Sequence, residues 1–329
     1  MRGSDNSDLC NGLPYNDNDR SGGIEDLLGR LHVGEGDDEG RIRPLSTTSF
    51  EMYDFRNVET WRDLNFALPL YGIEDRRYYL PVAEDDEAMR QEIVHTYWAM
   101  FDHLVPPRLP SGTFLDLGTG AGYWVQDVAQ NFPQHKVIGI DLHYSERLET
   151  GINGEFEVDD CEAELFPRSE PVSLINLRDS YFWIHNMSRI IHQARSLLQP
   201  GGYFQNQEFR LVYWETNKAK FTQWRQEVLL CAESLGVQLH SAEEVRNVLG
   251  MAGFQDYQEH TELIRITKSE NSWLFQFLEL TVQATLRILV DGRTTTLTSR
   301  SALLDEVLTE LAEEDCWVII QMHSCWARK

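Results

Sequence analysis

The stretch that most constrains this chain is Phe114-Leu-Asp-Leu-Gly-Thr-Gly-Ala-Gly-Tyr-Trp124. Its apolar run reads as a buried strand, Gly118-x-Gly120-x-Gly122 as a tight turn, and the residues behind it as the opening of a helix. Glycines at alternate positions let the backbone turn sharply and let a ligand approach it closely. A glycine triplet alone is weak evidence, but its surroundings here strengthen it. Asp116 stands two residues before the first glycine. About twenty residues after the loop, Val137-Ile-Gly-Ile-Asp141 reads as a second strand ending in an acid, placed to accept hydrogen bonds from ribose hydroxyls. A strand–turn–helix–strand unit of this kind belongs to a parallel sheet with helices on its faces.

Loop spacing and charge narrow the ligand. A dinucleotide fingerprint reads Gly-x-Gly-x-x-Gly and sets a pyrophosphate on the helix N-terminus. Here the spacing is Gly-x-Gly-x-Gly, and Asp116 would repel a pyrophosphate while suiting a cationic amine. S-adenosylmethionine is therefore favoured over NAD, with a glycine turn that binds nothing as the bland alternative.

The remaining sequence divides into three zones. Residues 1–45 hold eight of the 22 glycines, ten acids and five arginines. They read as a flexible acidic tail, with partner binding through Ile24-Glu-Asp-Leu-Leu28 as the alternative to a solvating arm. Residues 46–110 read as an N-terminal cap, dense in aromatics from Phe50 to Tyr79. A helix opens there at Asp85-Asp-Glu87, whose acids suit the helix dipole, and stops at Pro106-Pro107. In residues 111–329, strands are expected to start near 113, 136, 154, 172, 203, 255 and 316. Helices are expected near 122–131, 187–199, 218–235, 241–251, 272–290 and 299–314. Ser241-Ala-Glu-Glu244 is a capping box, and Pro200-Gly-Gly202 reads as a break before the fifth strand.

Composition excludes some partners. The 329 residues carry 29 Lys+Arg against 53 Asp+Glu, a net charge of −24. Duplex nucleic acid and anionic membrane surfaces are poor partners for such a chain. The most apolar stretch, Trp273–Val290, contains Gln276, Glu279, Gln283 and Arg287, and reads as a buried helix rather than a membrane span. Cys10, Cys161, Cys231, Cys316 and Cys325 show no zinc spacing and fit a reduced chain inside the cell, cytoplasmic or nuclear. No metal site is expected, and the oligomeric state is left open.

The motif region resembles the class I S-adenosylmethionine-dependent methyltransferases, and more narrowly the fungal LaeA-like methyltransferases of secondary metabolism. The resemblance covers about residues 50–329. It is carried by Tyr79-Leu-Pro81, Asp86-Glu87 and Arg90…His95, then FLDLGTGAGYWVQDVAQNFP, VIGIDL, FEVDDCEAEL, LLQPGGYFQNQE and the closing CWARK. Where relatives often carry Asp-Leu-Ile in the fourth strand, this chain has Ser173-Leu-Ile175, followed by an unusually aromatic segment up to His185. The resemblance implies a Rossmann-like α/β fold, a seven-stranded sheet with helices on both faces and the last two strands antiparallel at its edge. The helices within 270–314 become a lid between those two strands, roofing the substrate pocket together with the N-terminal segment.

Resemblance and spacing together imply roles. Asp116, Gly118, Thr119, Gly120 and Gly122 would hold the methionine end of the cofactor. Asp141 would take the ribose hydroxyls, with Leu142 against the adenine. Asp160 would accept from the adenine amino group, with Cys161 beside the ring. Leu177 and Arg178 would line the methyl side, and Tyr79 would cover the cofactor. His185 is the first candidate base, ahead of Tyr181, Glu208 and His143, since imidazole titrates in the useful range. His95 and His192 read as structural. The implied activity is methyl transfer to O or N of a small aromatic or apolar metabolite. The alternatives are a LaeA-type regulatory protein binding partners through its acidic tail, and a methyltransferase-fold cyclase or isomerase that retains the cofactor.

Overall fold

The computed structural model describes residues 85–100, 105–142, 151–163, 169–285, 288–289 and 297–329. The expected tail at 1–45, the aromatic segment from 50 to 79 with Tyr79, and His143 lie outside the described residues.

Helix α1 (Asp85–Met100) precedes a sheet that starts with β1 (Thr113–Leu117). The glycine turn then leads into α2 (Tyr123–Asn131), followed by β2 (Val137–Asp141), β3 (Gly154–Val158) and β4 (Val172–Arg178). Next come α3 (Met187–Leu197), β5 (Leu198–Phe209), β6 (Glu215–Thr216), α4 (Ala219–Ser234) and α5 (Ala242–Met251). The chain ends with β7 (Gln255–Ile266), α6 (Ser272–Ala284), α7 (Leu297–Leu311) and β8 (Val318–Arg328).

The sheet order is β3-β2-β1-β4-β5-β8, with β6 and β7 both paired to β8. Strands β3 to β5 run parallel, and β8 enters antiparallel to β5 and to β7. This is the doubly wound Rossmann-like arrangement implied by the motif, with order reversal between β1 and β4 leaving a crevice at their carboxyl ends.

Every residue of β1 is buried, and so are six of the seven in β4, because helices cover both faces. Strand alternation sends Phe114 and Leu174 to the face packed by α1 and α2, and Leu115, Ile138 and Ile175 to the face packed by α3 and α5. Trp98, Trp124, Trp214 and Trp224 anchor the first face. The indole N–H of Trp224 donates to Thr285 Oγ1 at 2.9 Å, so its polar handle is paired inside the core.

Three expectations need correction. The sheet has eight strands, since the two-residue β6 pairs with Val318 and Ile319 on the edge of β8 that β5 also uses. Strand β5 begins at Leu198, so Pro200-Gly-Gly202 lies inside it. Gly201 takes φ +81° and donates its N–H to the Lys329 carbonyl, while pairing with β4 shifts register between Val172 and Leu174. The segment is thus a bulge that bends the strand rather than a break. The helix expected over 272–290 is interrupted: α6 ends at Ala284, Thr285 forms a turn, and Ile288 and Leu289 are helical again. Its buried face confirms a core helix, and among the described residues no helix is long and apolar enough to cross a membrane. The Ser241 capping box forms as expected.

Candidate functional site

The glycine turn works because three of its residues sit where L side chains rarely go, at φ +67° for Gly118, +56° for Gly120 and +87° for Gly122. Carboxylates brace the turn from two strands. Asp116 on β1 accepts from Thr119 Oγ1 and from Asn176 Nδ2 of β4, both at 2.7 Å. Asp141, closing β2, accepts the Gly120 N–H at 2.8 Å. Asp116 is buried, and desolvation raises its pKa, opposed by the nearby Arg178 cation and by its two hydrogen bonds.

Above this turn lies a cleft of about 850 Å³, its open mouth included. It brings together Asp116, Gly118, Thr119, Gly120, Asp141, Leu142, Asp160, Cys161 and Arg178, all expected from the sequence. Gly122 and Leu177 are not on its wall: Gly122 is the N-cap of α2, and Leu177 is fully buried in the core beneath. Burial and the neighbouring Asp141 and Asp160 push the Cys161 thiol up, so it is a neutral packing group rather than a nucleophile.

The three candidate bases lie off the cleft wall. His185 Nδ1 faces Glu162 Oε2 at 3.0 Å, and its backbone N–H donates to Glu162 Oε1. The imidazole therefore sits behind Glu162, which itself reaches the cleft. Tyr181 is buried in the aromatic core, and burial raises its pKa. Glu208 is buried on β5, accepting from the Ser180 N–H at 3.0 Å and from Asn206 Nδ2 at 3.0 Å, and from the Ser180 hydroxyl. Burial pushes its carboxyl up to about 7. It holds the turn that follows β4 and does not meet the ligand space. Local sequence could not separate these cases, because proximity in sequence to a strand end does not say which face a side chain takes.

The structure adds cleft residues that no local motif marks. From α1 come Arg90, Gln91 and Val94, and from the turn after β4 come Asp179 and Trp183. Gln91 Oε1 accepts the Ala121 N–H at 2.8 Å, tying α1 to the glycine turn. Arg90 donates twice to Glu87 at 2.8 Å and once to Asp179 at 2.6 Å. Asp179 takes φ +50°, a strained backbone that this ion pair helps hold. The signals available were the Arg90 and His95 of the resembling stretch, which carried no position relative to the loop. Neither α6 nor α7 contributes a side chain to the cleft among the described residues. Instead α6 packs on α1, where Gln276 Nε2 donates to Met89 Sδ at 2.9 Å. Among the described residues no cluster of His, Cys, Asp and Glu is arranged to hold a metal ion.

The donor set fits a cationic nucleoside. Asp116, Asp141, Asp159, Asp160, Glu162 and Asp179 face two arginines, an excess of negative charge that disfavours a pyrophosphate and favours a sulfonium with an amine. The carboxylate of Asp141 at the end of β2 is an acceptor of the kind a pair of ribose hydroxyls needs, and Leu142 and Cys161 offer apolar surface that would suit an adenine ring.

A family model described as a methyltransferase domain matches residues 88–259. The chain is 28% identical to a protein named secondary metabolism regulator laeA from Coprinopsis cinerea, over 56% of this chain and 52% of that protein. It is 32% identical to a protein of the same name from Aspergillus niger, over 42% of this chain and 38% of that protein. It is 25% identical to methyltransferase pytC from Aspergillus terreus, over 58% of this chain and 61% of that protein. The chain spans between 38% and 61% of the length of these three relatives.

Proposed function

Because this chain belongs to the methyltransferase-domain family, we propose that it transfers a methyl group from S-adenosylmethionine to an oxygen or nitrogen of a small aromatic or apolar metabolite. The observation that carries this reading is the acid-rich cleft over the Gly118–Gly122 turn, with Asp116 and Asp141 on adjacent strands. In this reading Asp141 holds the ribose hydroxyls, Asp160 the adenine amino group, and Leu142 and Cys161 the ring faces. The bound cofactor supplies an electrophilic methyl on sulfur. This chain's residues position the acceptor in line with it and keep water away. Trp183 and Tyr123 on the wall favour an aromatic acceptor. In this reading α1 walls one side of the cleft, the sheet forms its floor, and α6 supports the wall by packing against α1 without reaching the cleft.

Calorimetry with S-adenosylmethionine and with NAD tests the cofactor. Binding of the first alone is expected, and binding of NAD alone, or of neither, overturns the reading. Product mass tests the chemistry, since a methylated acceptor gains ~14 Da through one added CH2.

A second reading is favoured by the relatives named as regulators. In it the acceptor or partner is a protein, docked by the acidic 1–45 segment. Incubation of the chain with methyl-labelled S-adenosylmethionine and a fungal extract separates the two readings. Label in the small-molecule fraction supports the first. Label in protein, lost when residues 1–45 are deleted, supports the second.

A further inference from the structure

Two guanidinium groups reach the cleft, and their surroundings differ. Arg90 is held between Glu87 and Asp179, two carboxylates that offset its charge. Arg178, at the end of β4, has no carboxylate in an ion pair with it among the described residues. Its one hydrogen bond there runs from Nη1 to His95 Nδ1 at 3.0 Å. A guanidinium has five N–H donors and no acceptor, so the other four donors remain for a ligand.

That single bond also fixes the state of His95. Nδ1 must be the acceptor, because the guanidinium cannot accept. The ring proton is therefore on Nε2, which lies 3.2 Å from Asp127 Oδ2 and donates to it. Asp127 sits on α2, directly behind the glycine turn, and its Oδ1 accepts from Asn131 Nδ2 at 3.1 Å. The imidazole stacks on Tyr123, with ring centroids 6.1 Å apart and planes 22° from parallel. A chain of oriented contacts thus runs from α2 through α1 to the tip of β4. Its end is a cation without a paired anion, facing a cleft that is otherwise acidic.

Of the acids whose charge acts on Arg178, Asp116 acts most strongly, ahead of Asp179 and Asp127, and Asp116 shares the cleft wall with it. Asp116 has spent two of its roughly four acceptor sites, on Thr119 and Asn176. An acid with acceptor sites left and a guanidinium with donors left, both lining one cleft, match the two charges that an α-amino acid carries on a single carbon.

We propose that Arg178 binds the carboxylate of the ligand's α-amino-acid end, opposite Asp116 at the ammonium, and that His95 with Asp127 positions Arg178 for it. This deepens the cofactor reading and rests on it, placing Arg178 at the amino-acid end rather than along the methyl side. Arg178 touches the ligand, whereas His95 and Asp127 act through Arg178.

The test is calorimetry on the full chain with S-adenosylmethionine and with decarboxylated S-adenosylmethionine, which differ by the carboxylate alone. Wild type should bind the decarboxylated form roughly 10- to 100-fold more weakly, the usual range for a hydrogen-bonded ion pair shielded from water. In Arg178→Gln this preference should collapse to within about twofold, through weaker binding of S-adenosylmethionine. Arg178→Lys, which keeps the cation, should retain part of it. His95→Leu should lose most of the preference without touching the cleft, and His95→Asn, whose side-chain oxygen can accept where Nδ1 does, should recover it. Thermal midpoints taken alongside show that each variant folds. An undiminished preference in Arg178→Gln overturns the assignment of the carboxylate. Equal values in His95→Leu and wild type overturn the positioning role. Wild type binding neither ligand overturns the cofactor reading itself, a separate outcome from the other two.

Discussion

Replacing Gly118 by alanine tests how much of the ligand turn is dictated by the protein's own packing. An L residue at φ +67° costs about 1–2 kcal/mol. The new Cβ would stand 2.3 Å from Trp183 Cζ2 and 2.7 Å from Cη2, closer than two carbons can approach, so the indole must move. That indole donates from Nε1 to the Asp179 carbonyl at 3.2 Å. Losing this bond costs about 1 kcal/mol, and overpacking adds about 1–3 kcal/mol. The expected loss is about 3–6 kcal/mol in all. Gly201 is the matched control, since it has φ +81° and nothing within 4 Å of a Cβ. Alanine there should cost only the backbone strain, about 1–2 kcal/mol. Urea unfolding followed by far-ultraviolet circular dichroism measures both, with a common slope against denaturant. Tryptophan fluorescence should shift in Gly118→Ala and stay put in Gly201→Ala. Equal losses in the two variants would refute the argument, because they would mean that the Trp183 contact yields freely.

Three further outcomes are expected. Asp141→Ala should weaken S-adenosylhomocysteine binding roughly 100-fold or more by calorimetry, since the proposed role makes Asp141 a charged acceptor for two hydroxyls and it also braces Gly120; a change under about threefold would count against the ribose assignment. Glu208 holds a proton in the native chain that the unfolded chain releases above its ordinary 4.5, so its contribution to stability falls as pH rises from 4.5 to about 7, by about 3 kcal/mol in total. Urea midpoints of wild type minus Glu208→Gln should therefore decline across that window, and a flat difference would show an ordinary carboxyl. Ser241→Ala should cost about 1 kcal/mol in the same assay, since it removes the hydroxyl that accepts the Glu244 N–H at 3.2 Å.

Much of the fold was legible because its signals are local. The run from Phe114 to Trp124 contains its strand, its turn and the start of its helix within eleven consecutive residues, and each needs only its neighbours to form. Ser241 and Glu244 cap a helix across three residues, and the cap is seen as read. Pro200-Gly-Gly202 reads as a break because a proline followed by two glycines interrupts most strands. Here the Lys329 carbonyl, at the far end of the sequence, supplies the partner that keeps the strand going. Strand β6 is two residues long and exists only because β8 offers it an edge.

The cleft divides along the same line. Sequence alone determined the glycine turn, Asp116 before it and Asp141 after it, because one strand–turn–helix–strand unit places all of them on neighbouring strand ends. It could not place Arg90, Gln91 and His95, which arrive on a helix that precedes the sheet and meets the turn only by packing across it. Nor could it tell that Arg178 lines the cleft while Glu208, Tyr181 and His185 lie off its wall. Those directions depend on which side chain the neighbouring strand or helix leaves room for, and on which buried donor claims each carboxylate. Only the assembled chain settles that competition, because both competitors come from distant sequence.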